Sequence, residues 1–598
     1  MLSIDEVTVS IFVISERGIT AQHLLFNTLS SISSTFYLQC FFYEVNVVSI
    51  NRTLVLYAGE YMISEYKQNY DYIIIGSGTA GGTLANRLTE DDTHNVLVLE
   101  AGGGDNRFWL KLPVGYFKSI YNKSVSHLYR SEPEEGIARR KMDCPRGRVL
   151  GGSSSINGLI FIRGQHEDFD DWEAMGAHGW SYRNVLPYFR SLETYEGGAS
   201  EFRGSNGPLK ISNLRNDNPA CRDWLEAARS WGLPDNDDFN AASTYGIGRY
   251  QLTLRGRWRD SSSTAFIKPV RKRSNLTVEL RARVTQLLFD GDRVIGVEYV
   301  QKGKIKKACA STEVILSAGA VQTPQILQLA GIGPANLLKK HGIKVRYDSP
   351  EVGENLQDHL QMRTIVDLVD KRDSLNDHVR NPIKLAQMGV DWLFGSKGSL
   401  TVGAGQVGGA ISTRFAKNGR PDLQLFVMPL SVDKPGTPLH KYSGFTTSLW
   451  QCHPESRGSI QICSTDPQTD PVIKFNYLST DLDRAVMIEG IKIVREIYNQ
   501  PAFKNRWSRE VIPGLDANTD SKILEEIRQK SGTVYHIVGT CRMGSDEKAV
   551  VDPQLRVNGV KGLRVVDASI MPKITSANTN AATYMIAEKA AAMILNKK

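Results

Sequence analysis

The apolar run Tyr70-Asp71-Tyr72-Ile73-Ile74-Ile75 breaks on Gly76-Ser77-Gly78-Thr79-Ala80-Gly81-Gly82, and this junction constrains the chain more than any other stretch. A short apolar run bounded by glycine reads as a buried strand, and the G-x-G-x-x-G spacing after it reads as a tight strand-to-helix turn. A second run, Val96-Leu97-Val98-Leu99, ends on Glu100-Ala101-Gly102. A carboxylate therefore closes the next strand, about 20 residues past the motif. Gly76 admits the turn, Gly78 lets a pyrophosphate approach the backbone, and Gly81 lets the helix pack closely on the sheet, while the first helical amides face the negative charge. Gly76, Ser77, Gly78, Thr79, Ala80 and Gly81 are thus the expected contacts of an adenine dinucleotide, with Glu100 and Ala101 at its ribose end. NAD and the ADP half of FAD use the same device, so the motif does not separate them.

At 598 residues the chain exceeds what one hydrophobic core organises, and two or more domains are expected. Its 72 basic and 64 acidic residues leave a mild positive charge. The densest basic cluster, Lys268-Pro269-Val270-Arg271-Lys272-Arg273, reads as a solvated loop, so nucleic acid is excluded as a partner. The seven cysteines are scattered without a C-x-x-C pair, which argues against a metal site and a disulfide framework and for a reducing, cytoplasmic compartment. Residues 1–68 do not resemble the rest. Their apolar patches, Ile11-Phe12-Val13-Ile14 and residues 36–43, are interrupted by Glu16, Arg17 and Glu44 before reaching a spanning length. The segment is read as an unassigned extension, loosely packed by default, and membrane association is not encoded by a clear span.

Further strand and helix signals lie far apart in the chain. Residues 313–320 read as a strand leading into a helix over 323–329, and residues 563–568 read as a strand followed by an apolar helix from about 581 to 595. This pattern predicts an α/β protein whose Rossmann-like nucleotide-binding domain is assembled from discontinuous segments, 69–165, 270–358 and 534–598. The intervening segments, 166–269 and 359–533, are richer in Trp, Tyr and Phe and are expected to form a substrate domain over the cofactor.

Three more motifs stand out: Gly147-Arg148-Val149-Leu150-Gly151-Gly152-Ser153-Ser154-Ser155-Ile156-Asn157-Gly158, the run from Gly319-Ala320-Val321-Gln322-Thr323-Pro324 to Gly331-Ile332-Gly333, and Tyr535-His536-Ile537-Val538-Gly539-Thr540-Cys541-Arg542-Met543-Gly544. With Asn578-Thr579-Asn580 near the end, residues 70–598 strongly resemble the glucose-methanol-choline (GMC) oxidoreductases. Ala330 stands where that family usually has Ser. The resemblance implies FAD, and a substrate domain with an antiparallel sheet and helices. It places Arg148, Gly151, Gly152, Ser153, Asn157 and Gly158 along the pyrophosphate and flavin, Val284 at the adenine, and Asp567, Ala568, Asn578 and Thr579 against the cofactor. Some relatives attach FAD through a His at the position held here by Ile156, so noncovalent FAD is expected.

Alcohol oxidation needs a base for the hydroxyl proton and a donor for the developing alkoxide while hydride leaves for flavin N5. Histidine suits the first role. His536 is the candidate base and Asn580 the candidate alkoxide donor, with Asp358-His359 a competitor ranked below as a structural and cofactor-side motif. Choline-acting relatives carry a Glu in the stretch matching Ala404-Gly405-Gln406-Val407-Gly408-Gly409, and neutral Gln406 favours a neutral primary alcohol over choline. The expected reaction is FAD-dependent oxidation of a primary alcohol to the aldehyde, with electrons passed to a quinone or other acceptor. Choline dehydrogenase and O2-using alcohol oxidase are the alternatives within the chemistry; a hydroxynitrile-lyase-like or non-catalytic flavoprotein is the alternative outside it.

Overall fold

Ile73, Ile74 and Ile75 are at most 4% exposed, because strand Asn69–Ile75 lies inside a seven-stranded sheet, and a strand buried on both faces reads as an unbroken apolar run. Its neighbours are Val96–Glu100 on one side and Lys304–Leu316 on the other, both parallel to it. Leu276–Leu280 extends the parallel set beyond Val96–Glu100, and Leu563–Val565 pairs parallel with the end of Lys304–Leu316. The sheet thus draws its strands from three distant parts of the chain.

The computed structural model describes residues 8–15, 18–25, 69–395 and 397–596. The chain divides into two units, Met1–Lys67 and Gln68–Lys598. In the first, Thr8–Ser15 and Gly18–Leu25 pair antiparallel, from Thr8 opposite Leu25 to Ser15 opposite Gly18. The apolar patch at 11–14 is part of the first of these strands, whereas residues 36–43 lie outside the described residues.

Two elements of the second unit differ from their expected bounds. The strand expected at 313–320 is Lys304–Leu316, whose first part pairs antiparallel with Arg293–Gln301 before its end joins the parallel set. The helix expected at 323–329 begins earlier, as Gly319–Leu329 with Pro324 inside it. Proline cannot donate to the carbonyl four residues back. That carbonyl, of Ala320, instead accepts from Thr540 Oγ1 at 2.7 Å, so the helix defect becomes a tie to the segment carrying His536. The C-terminal helix is Thr579–Ile594, and it packs on Thr79–Arg87, where Arg87 Nε and Nη2 grip the buried Glu588 at 2.9 and 2.8 Å.

A second, antiparallel sheet runs Val407–Ile411, Leu423–Met428, Gly444–Gln451, Leu360–Leu368, Trp507–Ile512, with Gly532–Thr533 also paired to Leu360–Leu368. The 18-residue helix Asp481–Tyr498 packs against it, capped by the Thr480 side chain accepting from the Asp483 amide. Gly490 allows the close contact: a Cβ there would stand 3.0 Å from Leu423 and Leu449 carbons. Leu360–Leu368 starts directly after Asp358-His359 and so carries that pair to the boundary of the two sheets' segments. Among the described residues no helix is long and apolar enough to cross a membrane, and no group of His, Cys, Asp and Glu could hold a metal ion.

Candidate active site

One cleft is lined by Gly76, Gly78, Thr79, Ala80, Glu100 and Ala101 from the first motif and by Arg148, Gly152, Ser153, Asn157 and Gly158 from the second. Val284, Asp567, Ala568, Asn578, Thr579, Asn580 and His536 line it too. Ser77, Gly81 and Gly151 do not; they shape its wall. Ser77 donates from its amide and hydroxyl to Glu100 at 3.0 and 2.6 Å, and the Gly151 amide donates to the Ser77 hydroxyl at 3.3 Å. A Cβ on Gly81 would fall 1.9 Å from the Gly76 carbonyl oxygen, so only glycine fits where helix meets strand. The Glu100 carboxylate, 5% exposed, also accepts from the Gly102 amide at 2.7 Å; burial pushes its pKa up despite these bonds.

Asp567 acts from the opposite wall. It is not in a strand, which ends at Val565; it caps the short turn Ala568–Ile570 by accepting from the Ser569 amide at 2.8 Å. Its other oxygen accepts from the Gly319 amide at 2.9 Å and Thr323 Oγ1 at 2.6 Å, fixing the start of Gly319–Leu329. Asn157 is held by Arg259, which donates to its side-chain oxygen at 2.6 Å and its carbonyl at 2.7 Å; burial draws the Arg259 pKa down to about 9.

The far end is built around His536. Its backbone amide donates to Asp358 at 2.7 Å. Its Nδ1 lies 2.9 Å from Nδ1 of His359, and its Nε2 lies 3.0 Å from Nδ2 of Asn578. The donors follow by elimination. His359 Nε2 faces the Cys452 carbonyl at 3.1 Å, which can only accept, so His359 carries its proton there. Its Nδ1 is then an acceptor, the His536 proton sits on Nδ1, and the His536 Nε2 lone pair points to Asn578 and the cleft. Both rings are held neutral: burial lowers His359 to about 4, and burial first, with the neighbouring His359 ring and the Arg146 charge after it, presses His536 well below its usual range. Asp358, pushed up to about 6 by burial, also accepts from Tyr477 OH at 2.5 Å and from Thr533 Oγ1.

The tight turn before His536 has a cause. Tyr535 sits at φ 66°, a left-handed conformation unusual for a tyrosine. Its amide donates to Thr533 Oγ1 at 2.7 Å, its carbonyl accepts from Arg146 at 2.8 Å, and its hydroxyl pairs with Tyr121 at 2.9 Å, so surrounding bonds hold it there.

The expected partnership of His536 with Asn580 is not the one that forms. Asn580 accepts from Thr79 Oγ1 at 2.6 Å and ties two helix starts together. Asn578 is the N-cap residue of Thr579–Ile594, in extended conformation, so its side chain leaves the helix end toward His536; two residues on, the helix has turned about 200°. Asp358 and His359, ranked below His536 as cofactor-side residues, touch it directly. Arg146, Thr533 and Arg363 carry no motif spacing that would single them out. Gln406 is turned away from the cleft: it is 2% exposed, and its side chain accepts from Asn216 at 2.7 Å, while Ala404 lines the cleft.

The model of the GMC oxidoreductase family matches residues 70–361 and 454–587. An alcohol dehydrogenase [acceptor] of Pseudomonas putida is 40% identical over 532 residues, covering 88% of this chain and 96% of that protein. The chain belongs to the GMC oxidoreductase family. A second relative of this GMC oxidoreductase, an oxygen-dependent choline dehydrogenase of Vibrio vulnificus (strain YJ016), is 37% identical over 89% of this chain and 95% of its own. Among solved structures, pyridoxine 4-oxidase from Mesorbium loti superposes with a TM-score of 0.79 at 29% identity, covering 88% of this chain and 99% of that one. A formate oxidase of Aspergillus oryzae RIB40, from work on FAD modification, gives 0.82 at 27% over 89% and 99%.

The cofactor is FAD, and the residues fit it. A Cβ on Gly152 would stand 2.7 Å from Gly78 Cα, so the two glycines keep the cleft open where a pyrophosphate must pass. No side chain caps helix Thr79–Arg87 at Gly78, which leaves its first amides for an anion. The buried Asn578 Oδ1 has no partner among the described residues and asks for a donor from within the cleft. The protein is an FAD-dependent oxidoreductase acting on CH–OH groups.

Proposed function

We propose that this GMC oxidoreductase oxidises a primary alcohol to the aldehyde, with His536 as base and Asn578 as alkoxide donor, and passes the electrons to a quinone or other acceptor. The observation that carries the reading is the His359–His536–Asn578 chain, which leaves an unprotonated Nε2 beside an amide donor at the cleft surface. FAD bound in the cleft supplies the acceptor for the hydride. The chain's own residues supply the proton chemistry. A substrate hydroxyl entering between His536 and Asn578 donates to Nε2 and accepts from Nδ2, so the proton leaves toward the ring while the oxygen keeps a neutral donor as charge develops. Thr79 and Asn580 then belong to the cofactor side.

One observation favours a primary alcohol over choline, and two more bear on the electron acceptor. A quaternary ammonium calls for a carboxylate and an aromatic cage. Among the described residues lining the cleft the carboxylates are Glu100, Asp470 and Asp567; Asp470 is paired with His127 at 2.7 Å, and the other two are bound as described. The Pseudomonas putida relative, named for an unspecified acceptor, supports transfer to something other than O2. Helix Pro382–Gly395 turns apolar side chains outward, with Ile383 78% and Phe394 81% exposed, which suits contact with a membrane where a lipid-soluble quinone resides.

The test is anaerobic mixing of the yellow protein with a panel of primary alcohols and choline, followed by admission of air. Bleaching by an alcohol and not by choline, with slow return of colour in air and fast return with a quinone, is expected. Failure of every alcohol to bleach the flavin defeats the reading, and fast return in air replaces it with an oxidase.

A further inference from the structure

Strand Leu360–Leu368 leaves the active site carrying a cation. Gln361 and Arg363 lie two residues apart, hence on one face of the strand, and both line the cleft. Arg363 is half-buried and forms no ion pair among the described residues. Its Nη1 donates to the Val432 and Asp433 carbonyls at 3.0 and 2.9 Å, which uses both hydrogens of that nitrogen. The Nε and Nη2 hydrogens find no acceptor among the described residues and are not sealed from solvent. This free edge is the one by which other arginines of the protein grip acids, Arg87 on Glu588 and Arg495 on Glu510.

The surroundings offer no counter-charge. The Asp433 carboxylate turns to His440 Nε2 at 2.9 Å, and Asp143 pairs with Lys434 at 3.2 Å and Arg130 at 3.6 Å. The carboxylates lining the cleft, Glu100, Asp470 and Asp567, are committed elsewhere. Tyr116 and Tyr535 are the hydroxyls that feel Arg363: burial raises both, and the Arg363 charge draws them down. The cleft that Arg363 and His536 share also has apolar walls, among them Phe117, Phe426, Met428 and Val432, beside the polar Gln361. The Nε–Nη2 edge of a guanidinium presents two parallel donors, and a planar carboxylate matches it.

We propose that Arg363 is a substrate-binding residue, and that the physiological alcohol is an ω-hydroxycarboxylate whose carboxylate pairs with Arg363 while its hydroxyl meets His536 and Asn578. The proposal rests on the alcohol-oxidation reading and narrows its substrate from a neutral alcohol to one with an anionic far end. Arg363 stands four residues along the chain from His359, the ring that His536 touches, so the spacer length is read from a chain-length series.

The experiment compares kcat/KM for ω-hydroxy acids from 4-hydroxybutanoate to 10-hydroxydecanoate with the alkanol of equal length, in wild type, Arg363→Gln and Arg363→Lys. At the best length the acid is expected to exceed the alkanol by about tenfold or more, as a charge-assisted pair supplies. That ratio falls to near one in Arg363→Gln, stands between in Arg363→Lys, and shrinks in wild type as salt is raised. Oxidation of alkanols with no preference for the acid at any length overturns the proposal and leaves the alcohol reading intact. If no alcohol bleaches the flavin, the alcohol reading falls and the carboxylate site is judged by alkanoate titration of the flavin absorbance. Equal affinity in wild type and Arg363→Gln then overturns it, and loss of binding in the variant upholds it. If Arg363→Gln does not fold, the wild-type ratio and its salt dependence decide.

Discussion

Each ring nitrogen of His536 faces a partner with a different demand, and the chemistry depends on keeping them in that order. His536→Ala removes the proposed base and is expected to lower kcat by about 10²–10⁴-fold while the protein stays yellow. Asn578→Ala is expected to lower kcat by about 10²–10³-fold, the cost of removing one donor to a developing oxyanion. Asn580→Ala breaks the bond to Thr79, so it should weaken FAD retention, seen as loss of colour on dilution, more than it slows the chemical step. Equal kcat losses in the two Asn variants would refute this division. The pH profile follows from His359, whose pKa is lowered to about 4. Above that pH its Nδ1 accepts from His536. Below it Nδ1 gains a proton, His536 loses its acceptor, and the base loses its orientation. Asp358, which holds the His536 amide, takes up its proton near 6 and gives a first, shallow decline, while the main fall in brief assays is expected near pH 4; loss of all activity with a midpoint near 6.5 would count against the neutral pair.

At the scale of elements, helix Thr79–Arg87 can reach the strand only through Gly81. Gly81→Ala places a methyl group against the Gly76 carbonyl, so the turn must open, and the variant is expected to purify without flavin absorbance or as aggregate. Helix Pro382–Gly395 poses a different question, since Ile383 and Phe394 are 78% and 81% exposed. Ile383→Glu and Phe394→Glu together should abolish flotation with vesicles of anionic lipid while sparing anaerobic flavin reduction by alcohol; wild-type protein that does not float removes the membrane role.

Across the whole molecule, His453 is the clearest acid lability. Among the described residues neither ring nitrogen has a hydrogen-bond partner, Nδ1 standing 4.0 Å from Asp168 Oδ1, and burial, then the Arg420 and Lys573 charges, lowers its pKa to about 3. The unfolded chain takes up this proton near 6.5 and the folded chain does not, so stability present above 6.5 is lost as pH falls toward 3. Relative to His453→Gln, wild type should lose Tm between pH 7 and pH 5; parallel Tm curves for the two proteins would show that His453 is not so buried. The strand, glycine turn and Glu100 were legible because they lie in one short stretch with fixed spacing. The His359–His536 contact was not, since its members stand 177 residues apart and meet only when Leu360–Leu368 is laid beside the His536 segment. Choosing Asn580 over Asn578 shows the same limit. Spacing alone does not say which of two residues in a helix's first turn faces a given neighbour, whereas the helix axis and its cap do.

The sequence by itself determined the dinucleotide-binding fold, because strand periodicity and glycine spacing are local properties of the chain, and FAD rather than NAD, with His536 as the candidate base, followed from the family resemblance that the long motifs carry. Only the tertiary structure decided which nitrogen of His536 carries no proton, which asparagine stands beside it, and that Arg363, which lines the cleft, has an edge with no acceptor among the described residues. Those depend on hydrogen-bond partners and charge neighbours that folding brings from distant segments, and a buried group's proton and charge state follow from its partners rather than from its place in the chain.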